Sequence, residues 1–372
     1  MPRLIPLLAS LGLSLLTANA AAAESPRQVI IDQDAFGPAT SNLQAVLMAI
    51  QAPNVKVLGI TVESGDGWCR ENTQHTLRML ELIGRTDIPV AAGPDLPLLN
   101  TPQATKLWEA RYGKLAYKGA WTEAWPKNSV VPRSPPHAAD VVPPMAEGAP
   151  KLKARPEAAA DFLVQTVRAH PHQVSIVALG PLTNLALAVK LDPELPSLVK
   201  ELVVMGGSFS PQPPPGGSPF ASEYANTPRL EFNFRFDPEA ASIVLHQHWP
   251  QLTLVPVDPT TTTYLGQSTL DSIGKAGTPV ARYLQRYGQA GYPLWDEMAM
   301  GLWLDPTLIR QQRTLSVDVD TDHGAGYGNT LSWNPGLNPG LGETQAKVVF
   351  KVNDAAMLQQ FSRLMQAPTP RP

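Results

Sequence analysis

Short runs of Val, Ile and Leu alternate with longer amphipathic stretches along most of this chain. The apolar runs predict strands over Val29–Ile31, Val55–Val62, Ile88–Ala92, Gln173–Leu179, Glu201–Met205 and Leu252–Pro256. Their near-continuous hydrophobicity, in place of a period-2 alternation, suits strands of a parallel sheet covered on both faces. Between them, 3.6-residue periodicity predicts helices over Leu43–Ile50, Glu71–Ile83, Glu157–Ala169, Leu185–Lys190, Pro238–His246, Ser268–Tyr287 and Leu294–Leu304. Leu315–Asp320 and Lys347–Val352 read as closing strands and Asp354–Gln366 as a covering helix. Strand–helix alternation on this scale predicts a single doubly wound α/β domain, a mostly parallel open sheet of Rossmann-like type.

The pattern breaks down between Gly93 and Pro156, where Trp108, Trp121 and Trp125 stand among prolines and glycines. A segment that long without regular structure in a compact domain is functional or mobile, and its tryptophans argue against simple disorder. It is expected to be a lid or a subunit contact, with a helical core at Lys106–Tyr112.

Polar residues recur where the predicted strands end: Asp32 and Asp34 after the first, Glu63 and Asp66 after the second, Thr183 and Asn184 after the fourth. Leu230–Phe234, with Glu231 and Asn233, reads as a further strand end. In open α/β sheets ligands bind at the carboxyl ends of strands. Each such residue alone is as readily a turn or cap, but together they predict one acidic crevice. Rich in oxygen and without His or Cys clusters, it suits a hard cation such as Ca²⁺ or Mg²⁺ rather than zinc.

Composition adds boundaries. The 372 residues are 43% hydrophobic, enough for a large core, and the net charge of −3 argues against a nucleic-acid surface. Residues 1–23 read as a secretory signal: Arg3, the apolar Leu4–Leu16, then small residues through Ala18–Ala23. That apolar run is too short to span a membrane, and residues 24–372 are expected to be soluble, periplasmic or secreted. The single cysteine, Cys69, cannot form an internal disulfide.

Several stretches resemble the inosine–uridine-type nucleoside hydrolases. They are I-I-D-Q-D at 30–34, V-L-G-I-T-V at 57–62, L-E-L-I-G-R-T-D-I-P-V-A-A-G at 80–93, A-L-G-P-L-T-N-L-A at 178–186, V-V-M-G-G at 203–207 and E-F-N-F-R-F-D-P-E-A-A at 231–241. The resemblance implies hydrolysis of the N-glycosidic bond of ribonucleosides. Asp34 would bind Ca²⁺ and act as general base on a water at the ion. The Leu179 carbonyl and Asp296 would complete the ion's ligands, Glu231 and Asn233 would hold ribose hydroxyls, and Met205 and Asn226 would line the sugar pocket. A homo-oligomer, dimer or tetramer, is expected.

Three positions depart from the family pattern. Where the family has two adjacent Asp residues opening the first helix, this chain has Ser41 and Asn42, in sugar- and metal-binding places respectively. Asn can ligate Ca²⁺ through its amide oxygen, at the loss of a charge. Asp66 stands where an Asn is expected, restoring a negative charge near the sugar. Trp295 replaces a His before Asp296 and is expected to stack on the base. These departures also allow a second reading, a non-catalytic periplasmic nucleoside or sugar binder of the same fold.

Overall fold

The computed structural model describes residues 25–115, 117–123, 135–210 and 230–371. The described residues contain one nine-stranded sheet in the order β3-β2-β1-β4-β5-β6-β9-β7-β8. β1 (Arg27–Gln33), β2 (Val55–Val62), β3 (Val90–Ala92), β4 (Val174–Ala178), β5 (Glu201–Met205) and β6 (Leu252–Val255) run parallel, and β9 (Thr344–Val352) continues them. β7 (Ile309–Val319) and β8 (Thr330–Trp333) close the sheet antiparallel. The order reverses beside β1, which pairs with β2 on one side and β4 on the other. That makes the β1/β4 boundary the switch point, where α/β sheets open a crevice.

Strand pleating explains the uninterrupted apolar runs. Val29 and Ile31 of β1 enter one core layer with the helices Ser41–Gln51, Cys69–Ile83, Trp295–Leu304 and Asp354–Gln366. Ile30 enters the opposite layer with the helices Ala159–Ala169, Thr183–Leu191 and Pro238–Leu245. β5 divides in the same way, Val203 and Met205 to the first layer, Leu202 and Val204 to the second. With both faces covered there is no solvent side to carry alternating polar residues.

Several elements differ from the sequence reading. The stretch Leu230–Phe234 is not a strand end. Glu231 caps a short helix, Phe232–Phe236, its carboxylate accepting from the backbone N–H of Asn233 and Phe234. A local capping contact therefore overrides an alternating pattern that suits a strand. The helical stretch Ser268–Tyr287 is two helices, Gln267–Gly274 and Pro279–Tyr287, the second started by Thr278, whose side chain accepts from Ala281 N–H, with Pro279 behind it. Val257–Thr260 forms a short helical turn after β6, where the sequence pattern gives no helix. β7 begins at Ile309, ahead of the expected Leu315, because its first half is exposed and polar and owes its form to pairing with β9. Gly84 ends the second helix at φ +77°, a left-handed conformation that costs glycine little.

Candidate active site

Asp34 follows directly on β1 and is 1% exposed. Its Oδ1 accepts from Asn42 Nδ2 at 2.9 Å and its Oδ2 from the Asp66 N–H at 2.8 Å. Two glycines make room for it. A Cβ on Gly65 would stand 2.0 Å from Asp34 Oδ2, and one on Gly180 would stand 2.9 Å from Asp34 Cγ. Those glycines come from the loops after β2 and β4, so three strand ends converge on one carboxylate.

Behind it lies a second acidic pair. Asp32 Oδ1 accepts from Thr61 Oγ1 at 2.5 Å and Asn184 Nδ2 at 2.9 Å, while Glu63 Oε2 accepts from the Asn184 N–H at 3.0 Å. Asp32 Oδ2 and Glu63 Oε1 are buried with no other donor. Burial pushes Asp32 up to about 6 and Glu63 well above the ordinary range, and each acts on the other. Both shifts favour the protonated form, which gives the pair a hydroxyl to donate. This pair braces the strand ends from behind Asp34.

The ten described residues expected in the site, Asp34, Ser41, Asn42, Asp66, Leu179, Met205, Glu231, Asn233, Trp295 and Asp296, all line one cleft of about 420 Å³. Asn226 lies outside the described residues, as do residues 1–23 of the expected signal. Asn233 Nδ2 donates to the carbonyls of Met205 at 3.0 Å and Leu179 at 3.3 Å. Glu231 accepts three backbone N–H groups, from Gly207, Asn233 and Phe234. Trp295, half-buried, opens the helix Trp295–Leu304 and packs on the first core layer while facing the cleft. Trp295 thus belongs to the edge of the core and to the cleft wall at once.

The cleft floor is acidic. Burial, then Asp66, raises Asp34 well above its ordinary range; burial, then Glu297 and Asp34, does the same to Asp296. Burial pushes Glu231 up to about 7 and Glu297 to about 8. Among the described residues no Lys or Arg forms an ion pair with these four groups; Arg286, on the cleft wall, lies over the Tyr287 ring. Such a collection of unneutralised carboxylates is stabilised by a bound cation.

The donors fit a hard cation. Asn42 Nδ2 lies between Asp34 Oδ1 and the Leu179 carbonyl, 3.1 Å away, while Asn42 Oδ1 is buried without a hydrogen bond. Turning that amide over exchanges its N and O and brings three oxygens together. Among the described residues no three His, Cys, Asp or Glu side chains gather as a metal site, so the set depends on the Asn42 amide and the Leu179 carbonyl.

The insert, expected as a lid or a subunit contact, contributes to the cleft wall: Tyr117, Thr122, Pro135, His137, Pro144 and Met145 line it. Its described tryptophans anchor it. Trp108 donates to the Gly324 carbonyl at 2.8 Å, and Trp121 stacks on Phe236 with ring centroids 4.1 Å apart. Its helix, Pro102–Tyr112, is longer than the Lys106–Tyr112 expected; Trp125 lies outside the described residues.

Sequence reasoning missed five contributors. Tyr117 donates its hydroxyl to Asp66 Oδ1 at 2.5 Å, Glu297 accepts from Ser41, and His75 and His137 line the cleft with Glu71. Glu297, adjacent to Asp296, had a signal in the sequence; the others sit in no motif.

The sequence pattern that defines the inosine-uridine preferring nucleoside hydrolases matches residues 29–359. The chain is 31% identical over 329 residues to an uncharacterized protein of Schizosaccharomyces pombe, covering 84% of this chain and 91% of that one. It is 29% identical over 361 residues to uridine nucleosidase 1 of Arabidopsis thaliana, covering 92% and 94%. With the inosine-uridine preferring nucleoside hydrolase of Crithidia fasciculata it shares 27% over 311 residues, covering 79% and 84%. The fold is shared with a plant nucleoside hydrolase, at TM-score 0.68 and 24% identity, over 92% of this chain and 100% of that one. None of these likenesses favours the binder reading. The chain belongs to the inosine-uridine preferring nucleoside hydrolase family and is an enzyme that hydrolyses the N-glycosidic bond of ribonucleosides.

Proposed function

We propose that this hydrolase works with a Ca²⁺-type ion held by Asp34, Asn42, the Leu179 carbonyl and Asp296, and that Asp34 is its general base. The observation that carries this reading is the arrangement at Asn42, whose amide bridges Asp34 Oδ1 and Leu179 O while its own oxygen has no donor. When bound, the ion lowers the pKa of water and fixes the sugar diol. Asp34 takes a proton from the attacking water, and Glu231 and Asn233 orient the sugar. The acidic floor stabilises the positive charge that develops on the ribosyl ring as the bond to the base breaks. Trp295 offers a stacking face to the base, in line with its place on the cleft wall beside Asp296.

The test is ribose release from a panel of ribonucleosides, with and without chelator, followed by Ca²⁺ or Mg²⁺ addition. Turnover abolished by chelation and restored by the ion is expected; turnover indifferent to chelation rules out the ion.

The proposal extends to export and to a homo-oligomer. The charged and apolar pattern of residues 1–23 supports the first, and the exposed Leu96, Leu99 and Leu107 on the insert support the second. N-terminal sequencing of the mature protein and light scattering test them.

A further inference from the structure

Ser41 opens the first helix at the cleft, and its hydroxyl is fully used inside the protein. Its Oγ donates to Glu297 Oε2 at 2.7 Å and accepts from the Asp296 N–H at 3.1 Å. A serine hydroxyl has one proton, so Ser41 has none left for a ligand. Glu297 is the opposite case. It is 2% exposed and lines the cleft, and Ser41 is the one side chain that donates to it among the described residues. No Lys or Arg acts on it.

A buried carboxylate is costly unless its lone pairs find donors. Glu231, across the cleft, already takes three backbone N–H groups, and Asp34 takes two donors. Glu297, with Ser41 as its one side-chain donor, therefore keeps acceptor capacity on the cleft wall. Neutral donors of the right kind are sugar hydroxyls, whose bonds to a carboxylate are short and strong.

We propose that Glu297 accepts a hydroxyl of the ribose, with Ser41 as the residue that positions it. The carboxylate that the first helix lacks at Ser41 is thus delivered from the neighbouring helix Trp295–Leu304. This inference rests on the ribonucleoside reading above.

The experiment is a double-mutant cycle of Ser41→Asp and Glu297→Gln. It is read as competitive inhibition by free ribose, with thermal melting of the ligand-free proteins in parallel. Glu297→Gln is expected to weaken ribose by about tenfold or more, the scale of losing a hydrogen bond to a charged group. Ser41→Asp alone is expected to bind worse than wild type, since it sets a second carboxylate against Glu297. Combining the two should recover most of the ribose affinity, a rescue that a purely structural Glu297 would not give. Glu297→Gln that binds ribose like wild type, or a double variant no better than the worse single one, overturns the proposal. A wild-type protein that neither binds ribose nor releases it from nucleosides overturns instead the reading beneath it.

Discussion

Asp34 is held where a carboxylate is least comfortable: buried, without a cationic side chain, and acted on by Asp66. Function, not stability, accounts for an acid in that place. Asp34→Asn should therefore lower turnover by about 10²–10⁴, the usual worth of general-base chemistry. The variant should melt no lower than wild type in the absence of metal. Its amide can still accept the Asp66 N–H, and turning over Asn42 gives the orphan Asn42 Oδ1 a donor. A variant with lowered melting temperature and unchanged kcat would make Asp34 a structural residue. The sequence disclosed Asp34 through its company: alone, an acid after a strand is as readily a turn or cap, but polar residues recur at the ends of the other strands and I-I-D-Q-D carries the family resemblance. For Glu297 it gave only adjacency to Asp296, since an acid in the first turn of a helix already has a reason, the helix dipole.

At the scale of elements, the helix Cys69–Ile83 joins the insert to the domain. His75 Nδ1 bonds Glu147 Oε1, and His137 Nε2 bonds Glu71 Oε2 at 3.2 Å. Arg78 Nε donates to the Glu147 carbonyl, and the N–H groups of Lys151 and Leu152 donate to Glu81 Oε1. Burial acts to lower the pKa of His75, but the bonds to Glu147 and Glu71 outweigh it and raise it to about 9. The unfolded histidine has a pKa of about 6.5. The clasp's contribution is therefore full below about 6.5 and is lost as pH rises through about 9. Wild type should lose stability on the order of a few kcal/mol between pH 6 and 9.5, measured by urea unfolding. Glu147→Gln should lose less over the same interval, and equal losses would dismiss the clasp. None of this was legible in the sequence, because the partners lie about seventy positions apart and no local pattern records such pairing. The strands of the parallel sheet were legible because burial on both faces writes itself into every residue. The short helix Phe232–Phe236 was not, because one capping side chain decided it.

For the whole molecule, the acidic floor of the cleft makes fold stability depend on pH and on the ion together. Glu297, Glu231 and Asp32 are raised to about 8, 7 and 6, all above their unfolded values. A raised carboxyl favours the folded state fully below its unfolded pKa, near 4, and that advantage is lost as pH climbs through the folded value. Without metal, the melting temperature should thus fall between pH 5 and 8.5. A carboxyl whose pKa rises by one on folding changes stability by about 1.4 kcal/mol, or roughly 2 °C for a chain of 372 residues. His75 pulls in the same direction, so the slope alone does not identify the cleft. The ion separates the two. A cation among Asp34, Asp296 and their neighbours favours the ionised carboxyls, and its own binding strengthens as they ionise. At about 100 times its dissociation constant it should add roughly 2.7 kcal/mol. That gain should be larger at pH 8 than at pH 5.5, flattening the pH profile, and Asp34→Asn should remove most of it while leaving the contribution of His75 in place. The measurement is thermal melting of wild type and Asp34→Asn at both pH values, with chelator and with millimolar Ca²⁺. A Ca²⁺ gain that is equal at the two pH values, or that survives Asp34→Asn, would place the ion away from these carboxylates.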